Sequence, residues 1–166
     1  MGAEDDAILA RLELLRQYKA QLLEIPASNF QEYDRNFLIH KATERLLQTA
    51  IEACLDIGKH IIAQERLRFP KDNQDVFTIL GEEQIVPRTL LPRLQDMARF
   101  RNLLVHEYAK IDNAIVYGIL KKRLGDFDEF ARAIVEYLER ASSASPSARE
   151  RRARYTTARA RKSKRT

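Results

Sequence analysis

The stretch MARFRNLLVHEY, Met97 to Tyr108, decides how the rest of the chain is read. Stepping from Leu94 by three, four and seven residues places Leu94, Met97, Ala98, Arg101, Leu104 and Val105 on one stripe, the signature of an amphipathic helix. One member does not belong on an apolar stripe: Arg101 brings a permanent charge to the inward face. A guanidinium withdrawn from water without a partner costs several kcal/mol, so two arrangements satisfy the pattern. Either carboxylates neutralise Arg101 and its role is structural, or Arg101 lines a polar cleft that receives an anion.

Outward from this helix, the same periodicity fills most of the chain. Ile8 to Glu24 reads as a first helix carrying Ile8, Leu12, Leu15 and Leu22 inward and stopped by Pro26. Phe30 to Arg68 is the longest pattern, with Phe37, Leu47, Ile51, Cys54, Leu55, Ile61 and Ile62 on one broad face. Unbroken, it would approach ~58 Å at ~1.5 Å per residue, which asks for a kink or a partner. Gly58 inside it weakens the helix by about 1 kcal/mol relative to Ala, and a packing accommodation explains it better than approach of a neighbouring backbone.

The segment KDNQDVFTILGEEQIVP, Lys71 to Pro87, predicts a brief helix with an Asp/Asn start cap and Gly81 as its stop. Pro87 and Pro92 bracket the first turn of the Met97 helix, where proline is tolerated, and that helix is expected to reach Tyr108 or Lys110. A further helix should run from Asp112 or Asn113 to Gly125. A last one should start at Asp126, where Asp-Phe-Asp-Glu resembles a capping box, and bury Phe127, Phe130, Ile134, Tyr137 and Leu138. The expected architecture is an all-α bundle spanning residues 1–140, followed by a tail of residues 141–166.

A chain of 166 residues suffices for one core, and 5 Gly with 5 Pro are too few for the many turns of an all-β fold. The net charge of +5 is unevenly placed: nine Lys/Arg face one Glu between Ser147 and Thr166, leaving the rest mildly acidic. The tail lacks apolar periodicity and cannot offset the entropy of ordering, so it is expected to be disordered when free. Its Arg151, Arg152 and Arg154 either draw RNA to an otherwise acidic body or merely solubilise the chain. A single cysteine, Cys54, excludes an intramolecular disulfide and a Cys-based zinc cluster, and its place on the apolar face makes it a small core residue. No apolar run approaches roughly 18 residues and the acidic amino terminus has no signal-peptide core, so a cytoplasmic protein without membrane contact is expected.

Asn102 and His106 lie four apart and share a helix face, whereas Arg101 and His106 lie five apart and project about 140° from one another. One compact site then depends on the reach of arginine and on tightening or unwinding of the helix end. An arginine that clamps phosphate, an asparagine that orients and a histidine that takes or gives a proton supply what RNA cleavage needs without a metal. By spacing alone the same residues serve as well for a satisfied core pair.

The string Arg101-Asn102-Leu103-Leu104-Val105-His106-Glu107-Tyr108 resembles the R-x4-H-x-Y signature of the HepT-like branch of the HEPN ribonucleases, with Asn in the polar position that commonly follows the arginine. The similarity extends over YDRNFLIHKATERLLQTAIEACLDIGKHII, DVFTILGEEQIVP and MARFRNLLVHEYAKIDNAIVYGIL, covering most of Ile8 to Glu139. The resemblance implies a HEPN-type helical bundle that dimerises with two motifs facing a shared cleft. It implies an endoribonuclease toxin of a type VII toxin-antitoxin system, with Arg101, Asn102 and His106 at the site and RNA, including tRNA, as substrate. It also implies a nucleotidyltransferase antitoxin of the MntA type that transfers AMP to Tyr108 and silences the toxin. No metal or cofactor is expected.

Two other classes compete with the nuclease. One is a non-catalytic helical module that uses the cleft to hold a nucleotide or the nucleotidyltransferase; the other is a purely structural dimer in which Arg101 pairs with a carboxylate across the interface. Elsewhere, His40 and His60 lack partners at metal spacing and are read as surface or capping residues. Glu52 and Asp56, four apart, are read as solvated or paired with Lys59. No phosphate-cradling glycine loop is present, so the chain is not expected to bind ATP by itself.

Overall fold

The computed structural model describes residues 3–106 and 111–143, and among them all regular structure is helical. The helices are α1 (Ala3–Leu23), α2 (Phe30–Arg35), α3 (Phe37–Gln64), α4 (Asn73–Glu82), α5 (Leu91–His106), α6 (Asn113–Lys122) and α7 (Gly125–Ser143). α3 is the axis of the bundle. It packs along α1 and receives α4, α5 and α6 on its other sides, and α7 closes the assembly against α1.

The expected Phe30–Arg68 helix is divided at Asn36. This residue leaves the helical region (φ −101°, ψ 96°), and its side chain accepts the Ile39 amide as the start cap of α3. An asparagine that offers its own acceptor to the backbone competes with helix continuation, which is why the pattern breaks although the periodicity does not. Beyond the break α3 is apolar on nearly every turn, with Leu47, Ala50, Ile51, Cys54, Leu55, Ile57, Ile61 and Ile62 buried. Full burial of each large aliphatic side chain contributes about 1.5–3 kcal/mol. Cys54 packs among them as anticipated, and burial pushes its thiol pKa up.

α1 begins five residues before the expected Ile8, and Ile8, Leu15 and Leu22 line its seam with α3. Gly81 does not stop α4; it is buried inside the helix, where a Cβ would meet Leu91 Cδ2 at 3.1 Å. The stop is Gln84, which takes the left-handed conformation (φ 56°) while its amide reaches the Gly81 carbonyl and the Ile85 amide reaches that of Leu80. α3 ends on the same motif, with Arg66 (φ 52°) in the left-handed position. Gly58 is tightly packed: a Cβ there would lie 2.7 Å from Val76 Cγ1 and 3.2 Å from Leu80 Cδ1, so α4 side chains, not its backbone, occupy the space.

Gly125 likewise opens α7 instead of closing α6, which ends at Lys122. Asp126 does not cap its own helix. It is buried at 5 % exposure, and its two oxygens accept Arg93 Nη1 (2.6 Å) and Arg123 Nε (2.8 Å). The five residues expected inward on α7 are all buried, Phe130 meeting Phe77 edge-to-face, and the helix runs to Ser143, past the expected boundary at residue 140.

Candidate active site

α5 has two unlike halves. Leu94, Met97 and Ala98 are buried, but no residue after Ala98 is: Arg101 to Val105 are half-buried and His106, the last residue of the helix, is exposed. The apolar stripe thus leaves the core at the point where Arg101 interrupts it.

Arg101 reaches α3. Its Nε and Nη2 both donate to Oε1 of Glu52, at 3.2 and 3.0 Å, and the Gln48 amide donates to the same oxygen at 3.0 Å. Glu52 is therefore not simply solvated or paired with Lys59, as its spacing had implied. The carboxylate on this edge belongs to the same chain. Yet the pair does not enclose the cation. A guanidinium has a side edge, Nε with Nη2, and an outer edge, Nη1 with Nη2. Glu52 takes the side edge, and among the described residues no acceptor reaches Nη1. The two side chains remain 22 % and 31 % exposed, which leaves the outer edge to water or to an incoming anion. Both arrangements that the sequence allowed are partly realised.

Asn102 diverges from Arg101: its Oδ1 accepts the Asn73 side-chain amide at 3.1 Å, which ties α5 to the first residue of α4. The three motif side chains therefore leave α5 in different directions, toward α3, toward α4 and into solvent. Tyr108 and the tail residues Arg151, Arg152 and Arg154 lie outside the described residues. The chain resumes at Ile111, and the start of α6 is pinned. Asp112 caps it, and the Asn113 amide donates to Asp34 Oδ1 at 2.9 Å and lies 3.3 Å from His40 Nδ1. His40 and His60 are half-buried, with the Nε2 of each buried and without a partner among the described residues.

Glu52 also borders a groove of about 380 Å³ between α1 and α3, where Arg11, Tyr18 and Asp56 add polar rims. Among the described residues no group of three or more His, Cys, Asp or Glu side chains is arranged to hold a metal ion. Other arginines are more fully engaged. Arg68 binds Asp75 through Nη1 and Nη2 (2.7 Å each) and Glu82 through Nε and Nη2 (3.1 Å each), and this guanidinium holds the Asp75 carboxyl at a pKa of about 2. Arg93 grips Glu129 with both Nη atoms and holds its carboxyl below the usual range.

Reading the sequence missed Gln48 altogether and gave Glu52 the wrong partner. Gln48, Glu52 and Asp56 recur every four residues on the edge of the apolar face of α3, a pattern that a solvated helix shows equally. The only hint was the counter-charge that Arg101 itself demands.

Comparison with known proteins identifies the family. Residues 8–134 match the family described as Ribonuclease HepT-like. The mRNA nuclease HepT of Shewanella oneidensis is 27 % identical over 130 residues, 78 % of this chain and 97 % of that protein. The tRNA nuclease HepT of Aphanizomenon flos-aquae is 32 % identical over 131 residues, 79 % of this chain and 89 % of that protein. Among solved structures, the tri-AMPylated Shewanella oneidensis HEPN toxin in complex with its MNT antitoxin superposes with a TM-score of 0.74 at 25 % identity, covering 82 % of this chain and 99 % of that one. Fold, motif and sequence similarity together place the chain in the HepT-like ribonuclease family, with a HEPN-type helical bundle.

Proposed function

We propose that this protein is the endoribonuclease toxin of a type VII toxin-antitoxin pair, cleaving RNA, tRNA included, without a metal ion. The observation that carries the reading is the half-engaged Arg101: a fixed cation with its outer edge open, on the partly exposed half of a helix that ends in an exposed histidine. In the reaction His106 takes the proton of a ribose 2′-hydroxyl, or returns one to the leaving 5′-oxygen. The 2′-oxygen bonds to the adjacent phosphorus, the bond to the 5′-oxygen breaks, and a 2′,3′-cyclic phosphate remains. Arg101 stabilises the charge that gathers on the phosphoryl oxygens. Asn102 orients the helix end through its bond to α4, and the tail arginines Arg151, Arg152 and Arg154 add weak, salt-sensitive attraction to RNA.

The half-buried Leu103, Leu104 and Val105 supply apolar surface for a homodimer in which two such sites face one cleft. An MntA-type nucleotidyltransferase is the partner, and Tyr108, two residues beyond His106, is where it places AMP. The added phosphodiester brings negative charge and adenosine bulk to the position that RNA phosphate would take. The tri-AMPylated state of the Shewanella relative supports this regulation.

The test is direct. Unmodified protein incubated with total tRNA and with mRNA in EDTA should yield fragments ending in 2′,3′-cyclic phosphate, and Arg101→Ala and His106→Ala should each lose about 10²–10⁴-fold in rate. Cleavage that persists at full rate in both variants would overturn the assignment. The competing reading, a non-catalytic partner of the nucleotidyltransferase in which Arg101 is structural, is favoured by the Glu52 pair; it requires no cleavage by the wild type and a tight complex with the antitoxin.

A further inference from the structure

We propose that Glu52 is a positioning residue for the arginine of the cleavage site, an assignment that rests on the nuclease reading above. The argument starts from the freedom of an arginine. Its side chain has many rotamers, and an exposed one would spend little time with its outer edge aimed at a single point, losing about 2 kcal/mol of rotamer entropy if fixed only on meeting substrate. Here the fixing precedes substrate. Glu52 Oε1 accepts Nε and Nη2 of Arg101 together, which sets the plane of the guanidinium as well as its place.

The carboxylate is itself held. Gln48, one turn earlier on α3, donates to the same oxygen at 3.0 Å, so three donors from two helices converge on one atom. α3 carries more buried residues than any other helix of the bundle, with Ala53, Cys54 and Leu55 beside Glu52 all in the core. The cation is thereby referenced to the rigid axis of the fold and not to the end of α5, where burial is incomplete. Prior orientation of a donor toward developing charge is the form of electrostatic catalysis with the least reorganisation during the reaction.

The arrangement also divides the guanidinium by function. With the side edge taken, a phosphate can be met only by Nη1 and the remaining hydrogen of Nη2, the outer-edge geometry that suits two phosphoryl oxygens. A carboxylate closing that edge instead would exclude the anion. The pair keeps partial contact with solvent, so its contribution to stability is modest, about 1 kcal/mol.

Steady-state cleavage of a defined oligoribonucleotide by wild type, Glu52→Gln, Glu52→Ala, Arg101→Lys and the Glu52→Gln/Arg101→Lys double variant tests the proposal, with thermal unfolding of each. Glu52→Ala should lower kcat by about 10–100-fold while KM stays within about threefold or falls, because the cation remains but is no longer aimed. Glu52→Gln keeps an oxygen in place and should lose less. On the Arg101→Lys background, which has no side edge to hold, Glu52→Gln should have no further effect, a non-additivity that general loosening of the fold would not produce. A wild-type kcat in Glu52→Ala, or losses that multiply in the double variant, overturns the positioning role while leaving the nuclease intact. Failure of Arg101→Lys to slow cleavage at all overturns this proposal alone, whereas absence of cleavage by the wild type overturns the nuclease reading on which it rests.

Discussion

Two arginines of α5, eight residues apart, are used in opposite ways. Arg93 stands in the helix half whose neighbours are core. Its Nη atoms are consumed by Asp126 and Glu129, and the buried Asp126 takes Arg123 as well. Arg101 stands in the half that leaves the core and gives one edge to one carboxylate oxygen. The first network joins α5 to α7 and closes the outer edge of the guanidinium. The second joins α5 to α3 and keeps an edge in reserve. Charge count alone does not separate a structural arginine from a site arginine; the edge that the protein occupies does.

The comparison breaks most sharply if the two are exchanged by substitution. Arg101→Met should remove at least about 10²-fold of cleavage rate while stability in urea changes by no more than about 1 kcal/mol. Arg93→Met should do the reverse. It leaves Asp126 buried with Arg123 alone, destabilising the fold by about 2 kcal/mol, while the rate per folded molecule is unchanged. If Arg93→Met slowed cleavage as much as Arg101→Met, the division of α5 into a structural and a working half would be wrong.

A substitution on α3 sharpens the same division. Gly58→Ala places a methyl 2.7 Å from Val76 Cγ1, and a β-branched neighbour cannot easily turn aside. The overpacking exceeds the gain in helix propensity, and a net loss of about 1 kcal/mol is expected in urea denaturation. Glu52 lies on the same helix, nearly two turns away and on the side that faces Arg101. Cleavage per folded molecule should therefore be unaffected; a rate loss larger than the stability loss explains would mean that α3 transmits strain to the site.

What could be read from the sequence follows from the range of the forces involved. Helix faces are local patterns, so the inward positions of α1 and α7, those of α3 from Leu47 onward and the core role of Cys54 were legible, whereas Phe37, read on the same face at the start of α3, is 66 % exposed because the chain turns there at Asn36. Asn36 and Gln84 were not legible, because a cap is decided by one side chain or one left-handed residue, and Asn36 sits inside an otherwise continuous apolar period. Gly81 and Gly125 misled for a related reason: glycine marks either a helix end or a close contact, and at Gly81 the contact with Leu91 decides. The misplaced charge of Arg101 was plain, yet its partner was invisible. Glu52 is 49 residues away in the chain, and no local pattern distinguishes a carboxylate awaiting an arginine from one awaiting water.

Arg68 supplies the limiting case and the smallest effect. Both of its edges are occupied, the outer by Asp75 and the side by Glu82, so it is the fully closed counterpart of Arg101. Its partner reports that closure through pH. Asp75 has a folded pKa of about 2, against about 3.9 expected for an unfolded aspartate, so the unfolded chain binds its proton first on acidification. The stability contributed by ionised Asp75 is fully present above about pH 4 and is lost as pH falls toward 2. Asp75→Asn removes this contribution. Its urea midpoint should therefore lie below that of the wild type at pH 6, and the gap should narrow between pH 4 and 2. A gap for Asp75→Asn that stays constant down to pH 2 would mean that the Arg68 clamp does not hold the carboxylate in its charged form, and the ranking of arginines by occupied edges would lose its closed end.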